Sequence, residues 1–175
     1  MNSNRKNITI VDGYNVINAW SNLLEISKSS LEAARDKLID EMAEYKSLSG
    51  EEIIIVFDAY NLDRPKETII EKYGIKIVYT KRFQTADTYI EKQILDLSHK
   101  HNLKIVTDDG QIQILATSKG ASRITSNELR SDIYNNQKKI NRTRKKDFNR
   151  NFKSFPLSKE MIDKIDQIKE DLDKD

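Results

Sequence analysis

The feature that most constrains this chain is a repeated local pattern, a short run of β-branched apolar residues that stops at an acid or a turn. Its first instance is NITIVDGYN, residues 7–15, where Ile8, Ile10 and Val11 lead into Asp12 and Gly13. Branched side chains in succession suit a strand covered on both faces, and glycine lets the backbone turn directly after the aspartate. Residues 52–57, EIIIVF, run into Asp58, and residues 104–107, KIVT, into Asp108 and Asp109. Residues 75–80, IKIVYT, are followed by Lys81 and Arg82, with Asp87 close behind in TADTYIE, residues 85–91. In a parallel α/β sheet the loops at the carboxyl ends of the strands share one edge, and ligands bind there where the strand order switches. Three of these four expected strands therefore bring acid to a common edge.

The intervening stretches read mostly as helices. Residues 16–20 begin a short helix and residues 21–30 read as a loop. Ser29 and Glu32 have capping-box spacing, so a helix starts near Leu31. Leu31, Ala34, Leu38, Met42 and Tyr45 then recur at steps of three and four until Ser49 and Gly50 end it. Asn61, Asp63 and Pro65 break regularity in residues 60–72, which read as a loop with a short helix. Thr85 caps a helix to about Lys100, with Ile90, Ile94 and Leu97 turned inward and Asp87 and Glu91 on one face. Residues 111–118 form a further helix and residues 122–125 a short strand. Thr125 and Glu128 repeat the capping-box spacing ahead of a long helix from Asn127, whose apolar face is Leu129, Ile133, Tyr134 and Ile140. Pro156, Leu157 and Ser158 start a last helix, and its stripe of Met161, Ile165, Ile168 and Leu172 is expected to dock on the same domain. Strand and helix in alternation, with right-handed crossovers, predict an α/β protein, a three-layer α/β/α sandwich around a parallel sheet of four to five strands. The expected division is a sandwich domain over residues 1–137 and a basic arm with the final amphipathic helix over residues 138–175.

Composition narrows the chemistry. The chain of 175 residues contains no cysteine, so disulfides, thiolate nucleophiles and cysteine-ligated metals are excluded. No apolar run approaches the ~20 residues that span a bilayer, and the opening MNSNRKN lacks the apolar core of a secretion signal. A cytoplasmic protein with no membrane partner, and a monomer, is the expectation. The net charge of +2 is unevenly spread, because residues 138–153, KKINRTRKKDFNRNFK, carry eight basic residues against Asp147. A basic block on an otherwise acidic body is an electrostatic handle for nucleic-acid phosphate, or else a solvated helix face. Lys138, Lys139, Arg142, Arg144, Lys145, Lys146 and Arg150 are the candidate phosphate contacts there, joined by Lys81 and Arg82 at the acidic edge.

Asp12, Asp58, Asp87 and Asp109, with Asp108 and Glu91 in reserve, converge on one crevice if the strands are as assigned. Clustered carboxylates raise one another's pKa unless a cation neutralises them. Mg²⁺ or Mn²⁺ takes hard oxygen ligands of this kind and supports in-line attack on a phosphodiester. Each residue also has a plainer reading. Asp12 and Asp58 suit Asx turns, Asp87 suits a helix first turn, and Asp108 and Asp109 before Gly110 suit a turn. Asn15 either hydrogen-bonds a ligand carboxylate or phosphate or caps the following helix. Thr85 and Thr107 are placed to orient neighbours. Tyr14, Tyr60 and Phe83 stand where a base can stack, against the alternative of rim packing; Trp20 belongs to the core, and His99 and His101 lie away from the crevice.

Four motifs in order, VDGYN (11–15), VFDA (56–59), TADTYIE (85–91) and VTDDG (106–110), resemble the YacP-like NYN-domain proteins, relatives of PIN-domain ribonucleases. The resemblance spans nearly the whole chain. It implies a PIN-like fold and a metal-dependent endoribonuclease that associates with the ribosome and cleaves translated mRNA. Carried over by motif, Asp12, Asp87 and Asp109 are the principal metal-site carboxylates, with Asn15 and Asp58 lining the same catalytic site and Asp108 an additional acid. The family pattern more often has threonine, serine, aspartate where this chain has Thr107, Asp108 and Asp109. A metal-activated water as nucleophile leaves 5′-phosphate and 3′-hydroxyl ends. The competing expectation is a non-catalytic RNA- or ribosome-binding module on the same fold. A phosphotransferase or phosphatase ranks below both, since the chain has no GxxxxGK loop and VFDAY lacks a second aspartate two places on.

Overall fold

The computed structural model describes residues 5–58, 66–154 and 163–164. Six strands form one sheet in the order β3-β4-β2-β1-β5-β6. They are β1 (Asn7–Asp12), β2 (Glu52–Phe57), β3 (Thr68–Lys72), β4 (Ile75–Tyr79), β5 (Asn102–Val106) and β6 (Ser122–Ile124). Five run parallel, with Ile10 of β1 opposite Ile54 of β2 on one side and Ile105 of β5 on the other. The central strands carry Ile, Val and Leu on both faces because both faces are covered. On one side Val11, Ile53, Ile55, Phe57, Ile77 and Val106 pack against α1 (Gly13–Ala19), α2 (Ser21–Ser29), α3 (Leu31–Ser49) and the first turns of α6 (Ser126–Ser154). On the other, Ile10, Val56, Val78 and Ile105 pack against α4 (Ala86–Leu97) and α5 (Gly110–Ser118). These are the three layers of an α/β/α sandwich.

The expected parallel strands are present, and β3 adds an antiparallel sixth at the edge. Residues 68–72 therefore form a strand where the sequence reads as loop and short helix. The hairpin to β4 turns on Tyr73 and Gly74, both at positive φ (54° and 72°), as a type I′ turn demands. Residues 59–65, which include Tyr60, Asn61, Asp63 and Pro65, lie outside the described residues. Residues 21–29, expected as a loop, are the helix α2. Its buried anchor is Leu23, and it lies along α3, so tertiary packing overrides a serine-rich sequence.

Helix starts follow their local chemistry. Ser30, one residue beyond the expected cap, accepts from Ala33 N at 3.1 Å and begins α3, which ends at Gly50 in the left-handed region. Thr85 accepts from Thr88 N at 3.1 Å and begins α4. At α6 the capping box closes reciprocally, Glu128 N donating to Thr125 Oγ1 at 3.2 Å and Thr125 N to Glu128 Oε2 at 2.6 Å. Trp20, fully buried, donates from Nε1 to Ser126 O at 2.8 Å and so holds the start of α6 against the first layer.

The chain divides into two units, Met1–Asn136 and Gln137–Asp175. The first contains the sheet and its two layers. In the second, the helix continues to Ser154. The expected final helix, with Met161, Ile165, Ile168 and Leu172, lies outside the described residues, as do the side chains of Ile140 and of residues 143–154. No helix among the described residues is long and apolar enough to cross a membrane.

Candidate active site

Parallel strands point their carboxyl ends at one edge, and β1 is where the order switches, with β2 on one side and β5 on the other. Asp12 closes β1 at this switch point and caps α1, accepting from Asn15 N at 3.2 Å. Its other oxygen, Oδ2, accepts from Asn15 Nδ2 at 2.6 Å. The same Asn15 amide accepts from Asp108 N through Oδ1 at 3.2 Å. One side chain thus caps nothing itself but ties the carboxylate of β1 to the loop after β5. An open depression of about 350 Å³, lined by Tyr14, Asn15, Asn18, Ala19 and Asp108, lies beside it.

Asp12 is 3% exposed. Burial pushes its pKa up to about 6; the nearby charge of Asp87 adds to the rise, and the Asn15 hydrogen bonds oppose it. Asp87, in the first turn of α4, is half-buried. Its pKa is raised by burial first, then by the charges of Asp109, Glu91 and Asp58. The fold therefore brings Asp12, Asp58, Glu91 and Asp109 within electrostatic reach of Asp87, from the ends of β1, β2 and β5 and the first turns of α4. Mutual repulsion in a partly desolvated crevice is the cost of that assembly.

Asp109 also works locally. It caps α5, accepting from Gln111 N at 2.7 Å and Ile112 N at 3.2 Å through Oδ1, which leaves Oδ2 outside those bonds. Thr107, fully buried, accepts from Asp109 N at 3.1 Å. Gln113 Nε2 donates to Thr107 O at 2.7 Å, a support that the sequence did not mark because it comes from one turn into α5. Asp108 is exposed, accepts from Ser126 N at 3.0 Å, and is not among the charges acting on Asp12 or Asp87. Ser126, buried at the start of α6, is a second supporting residue that no sequence pattern signals.

The aromatic candidates separate. Tyr14 is half-buried, packs edge-on against Phe57 at 5.3 Å between centroids, and its hydroxyl accepts from Arg35 at 3.1 Å. Phe57 in turn stacks on Tyr79 at 5.5 Å. Tyr14 thus belongs to a packed aromatic row. Phe83 stands in solvent. Lys81 and Arg82 are exposed at the same edge, and Lys138, Lys139 and Arg142 are exposed on α6. Arg144, Lys145, Lys146 and Arg150 also fall on α6, with side chains outside the described residues.

The donor set is carboxylate and amide oxygen without sulfur, the chemistry of a hard divalent cation. Among the described residues, no three His, Cys, Asp or Glu side chains close on a single point. That openness does not match a full protein cage of the calcium type.

Comparison with known proteins agrees with the motifs. The model of the YacP-like NYN domain matches residues 9–170. YacP of Bacillus subtilis (strain 168) is 36% identical over 136 residues, which are 77% of this chain and 79% of that protein. The crystal structure of Rae1 (YacP) from Bacillus subtilis superposes with a TM-score of 0.65 at 32% identity, covering 95% of this chain and 97% of that one. A crystal structure of a tryptophan-to-leucine mutant of the same Bacillus subtilis protein gives 0.66 at 33% identity, over 89% and 90%. Sequence and fold together make this chain a member of the YacP-like NYN family, whose fold is of the nuclease type.

Proposed function

We propose that the chain is a metal-dependent endoribonuclease that hydrolyses phosphodiester bonds of mRNA, with the translating ribosome as the partner that presents it. The observation that carries this reading is the buried Asp12 at the switch point, under the charge of Asp87, on which Asp109, Glu91 and Asp58 act in turn. A protein has little reason to gather so many carboxylates at its most ligand-accessible edge unless a cation offsets them. Asp12, Asp87 and Asp109 are the residues to hold Mg²⁺ or Mn²⁺, which when bound supplies an acidified water and neutralises charge developing on the phosphate. Asn15 fixes the Asp12 carboxylate through two hydrogen bonds and so sets which lone pairs face the crevice. Thr107 and Gln113 hold the loop that carries Asp109. Asp58 and Glu91 keep the potential at the reacting phosphate negative, so a bound cation favours its seating while the flanking phosphates rest on the basic residues. Lys81, Arg82 and the basic stretch of α6 bind phosphates away from the reacting one. The ribosome as partner rests on the family resemblance.

The openness of the carboxylate cluster favours a second reading, an RNA-binding module without catalysis. End-mapped cleavage of an mRNA, with and without translating ribosomes, separates the two when run in Mg²⁺, in Mn²⁺ and in chelator. Hydrolysis predicts cuts with 5′-phosphate and 3′-hydroxyl ends that chelator abolishes. Asp12→Asn is expected to lose cleavage by at least about a hundredfold while RNA binding stays within a fewfold. Binding without cleavage under every condition establishes the module instead.

A further inference from the structure

Between β4 and α4, Phe83 is 93% exposed and belongs to neither core cluster. Its φ of 65° is in the left-handed region, which bulky residues rarely occupy. Gln84 N donates to Lys81 O at 3.0 Å, so residues 81–84 close a β-turn. Positive φ at its third position, with Arg82 outside that region, is the type II pattern, for which glycine or asparagine is the relaxed choice. Phenylalanine here strains the backbone and leaves an aromatic ring in water, and packing in the apolar core offsets neither cost. Such a combination of strain and exposure is characteristic of a residue held out for a ligand.

Its surroundings indicate which ligand. The Arg82 guanidinium lies 4.9 Å from the ring centroid, and Lys81 and Arg82 are both exposed. The turn starts from buried Thr80 and ends at Thr85, the cap of α4, so it is anchored at both ends. Phe83 is four residues ahead of Asp87, at the edge that carries the carboxylates. An exposed π-face beside two cations suits a flat ring attached to a phosphate backbone.

We propose that Phe83 is a stacking platform for one nucleobase of single-stranded RNA flanking the scissile phosphodiester, with Lys81 and Arg82 on the neighbouring phosphates. The RNA and its scissile bond are taken from the function proposed above; the platform is assigned from the turn.

The test is the affinity of the full chain for a single-stranded RNA 12-mer in chelator, where nothing is cut, measured by fluorescence anisotropy. Phe83→Ala and Phe83→Gly are expected to weaken binding roughly 5- to 150-fold, the range for loss of one base–aromatic stack, while Phe83→Trp retains it. Phe83→Gly should melt no lower than the parent, because glycine relaxes the turn; a residue needed for folding would behave otherwise. In a series of 12-mers with one abasic position each, one position should weaken the parent protein and have no further effect on Phe83→Ala. Equal affinity of Phe83→Ala and parent, or full additivity at every abasic position, overturns the platform. So does a parent protein that binds no RNA. If the abasic and Phe83 effects coincide but Mg²⁺ elicits no cleavage of mRNA with or without translating ribosomes, the nuclease reading fails and Phe83 stands as a base platform of an RNA-binding module. If the parent cleaves and Phe83→Ala binds equally well, the platform alone fails.

Discussion

Asp12 is held in its ionised form against the preference of its surroundings. In the absence of a cation its folded pKa is about 6, against 3.8 when unperturbed. Between those values the folded chain keeps a proton that the unfolded chain has released, so the contribution of this group to stability is greatest at low pH and falls as pH rises through the window. At 1.36 kcal/mol per unit the loss amounts to about 3 kcal/mol. Asp12→Asn removes that loss and gives up part of the Asn15 interaction, about 1 kcal/mol. Its melting temperature at pH 7.5 in chelator is expected to be about 4–8 °C higher than the parent's, with a flatter pH dependence between 4 and 6. An unchanged slope in calorimetry would show that burial of Asp12 is not what limits stability there. Gly13 makes a different demand. The sequence suggests a glycine for turning, yet Gly13 does not have positive φ. A Cβ there would stand 2.3 Å from Phe57 Cε1, and Phe57 is buried between Tyr14 and Tyr79. Gly13→Ala must displace that ring, at a cost of about 1–3 kcal/mol and a drop of about 2–12 °C by differential scanning fluorimetry. The requirement is for space, set by a residue from another strand, and is not legible in VDGYN.

Elements were legible where their own residues specify them. β1, β2, β4 and β5 are continuous branched runs because both sheet faces are covered. α3, α4 and α6 follow cap chemistry within one residue at Ser30, Thr85 and Thr125. β3 was not legible, because its two isoleucines are adjacent and both are exposed, Ile69 at 53% and Ile70 at 43%, so no period of two marks it. α2 was hidden by its serines, since its stability comes from α3. Of the site, Asp12, Asp58 and Asp109 were legible from their positions at or just beyond strand ends and Asp87 from the helix start that follows β4; Gln113, which holds Thr107 O, and Ser126, which holds Asp108, were not. The basic stretch of α6 yields a prediction of its own. Lys138, Lys139 and Arg142 are exposed on it, and each phosphate contact on single-stranded RNA adds about 0.7 to the slope of log affinity against log salt. Replacing all three with glutamine is expected to lower that slope by about 2. An unchanged slope would remove α6 from the RNA-binding surface.

For the whole molecule, the central relation is between the parallel sheet and the charge it collects. Parallel pairing gives β1, β2, β4 and β5 the same direction, so acids placed separately at positions 12, 58, 87 and 109 share an edge without further design. The strand order that sets β1 at the switch point depends on non-local pairing, and no local pattern discloses it. If the edge is a metal site, protons and cations compete for Asp12, and ionisation with binding becomes one linked equilibrium. The most direct measurement is therefore the single-turnover rate of RNA cleavage from pH 5 to 8 at several Mg²⁺ concentrations, for the parent and Asp12→Asn. The expected result is a rate that rises with pH, with a midpoint near 6 at limiting Mg²⁺ that moves lower as Mg²⁺ increases, and no rise in the variant. Cleavage by Asp12→Asn at the parental rate, or a rate indifferent to Mg²⁺ at every pH, would contradict catalysis by this carboxylate edge.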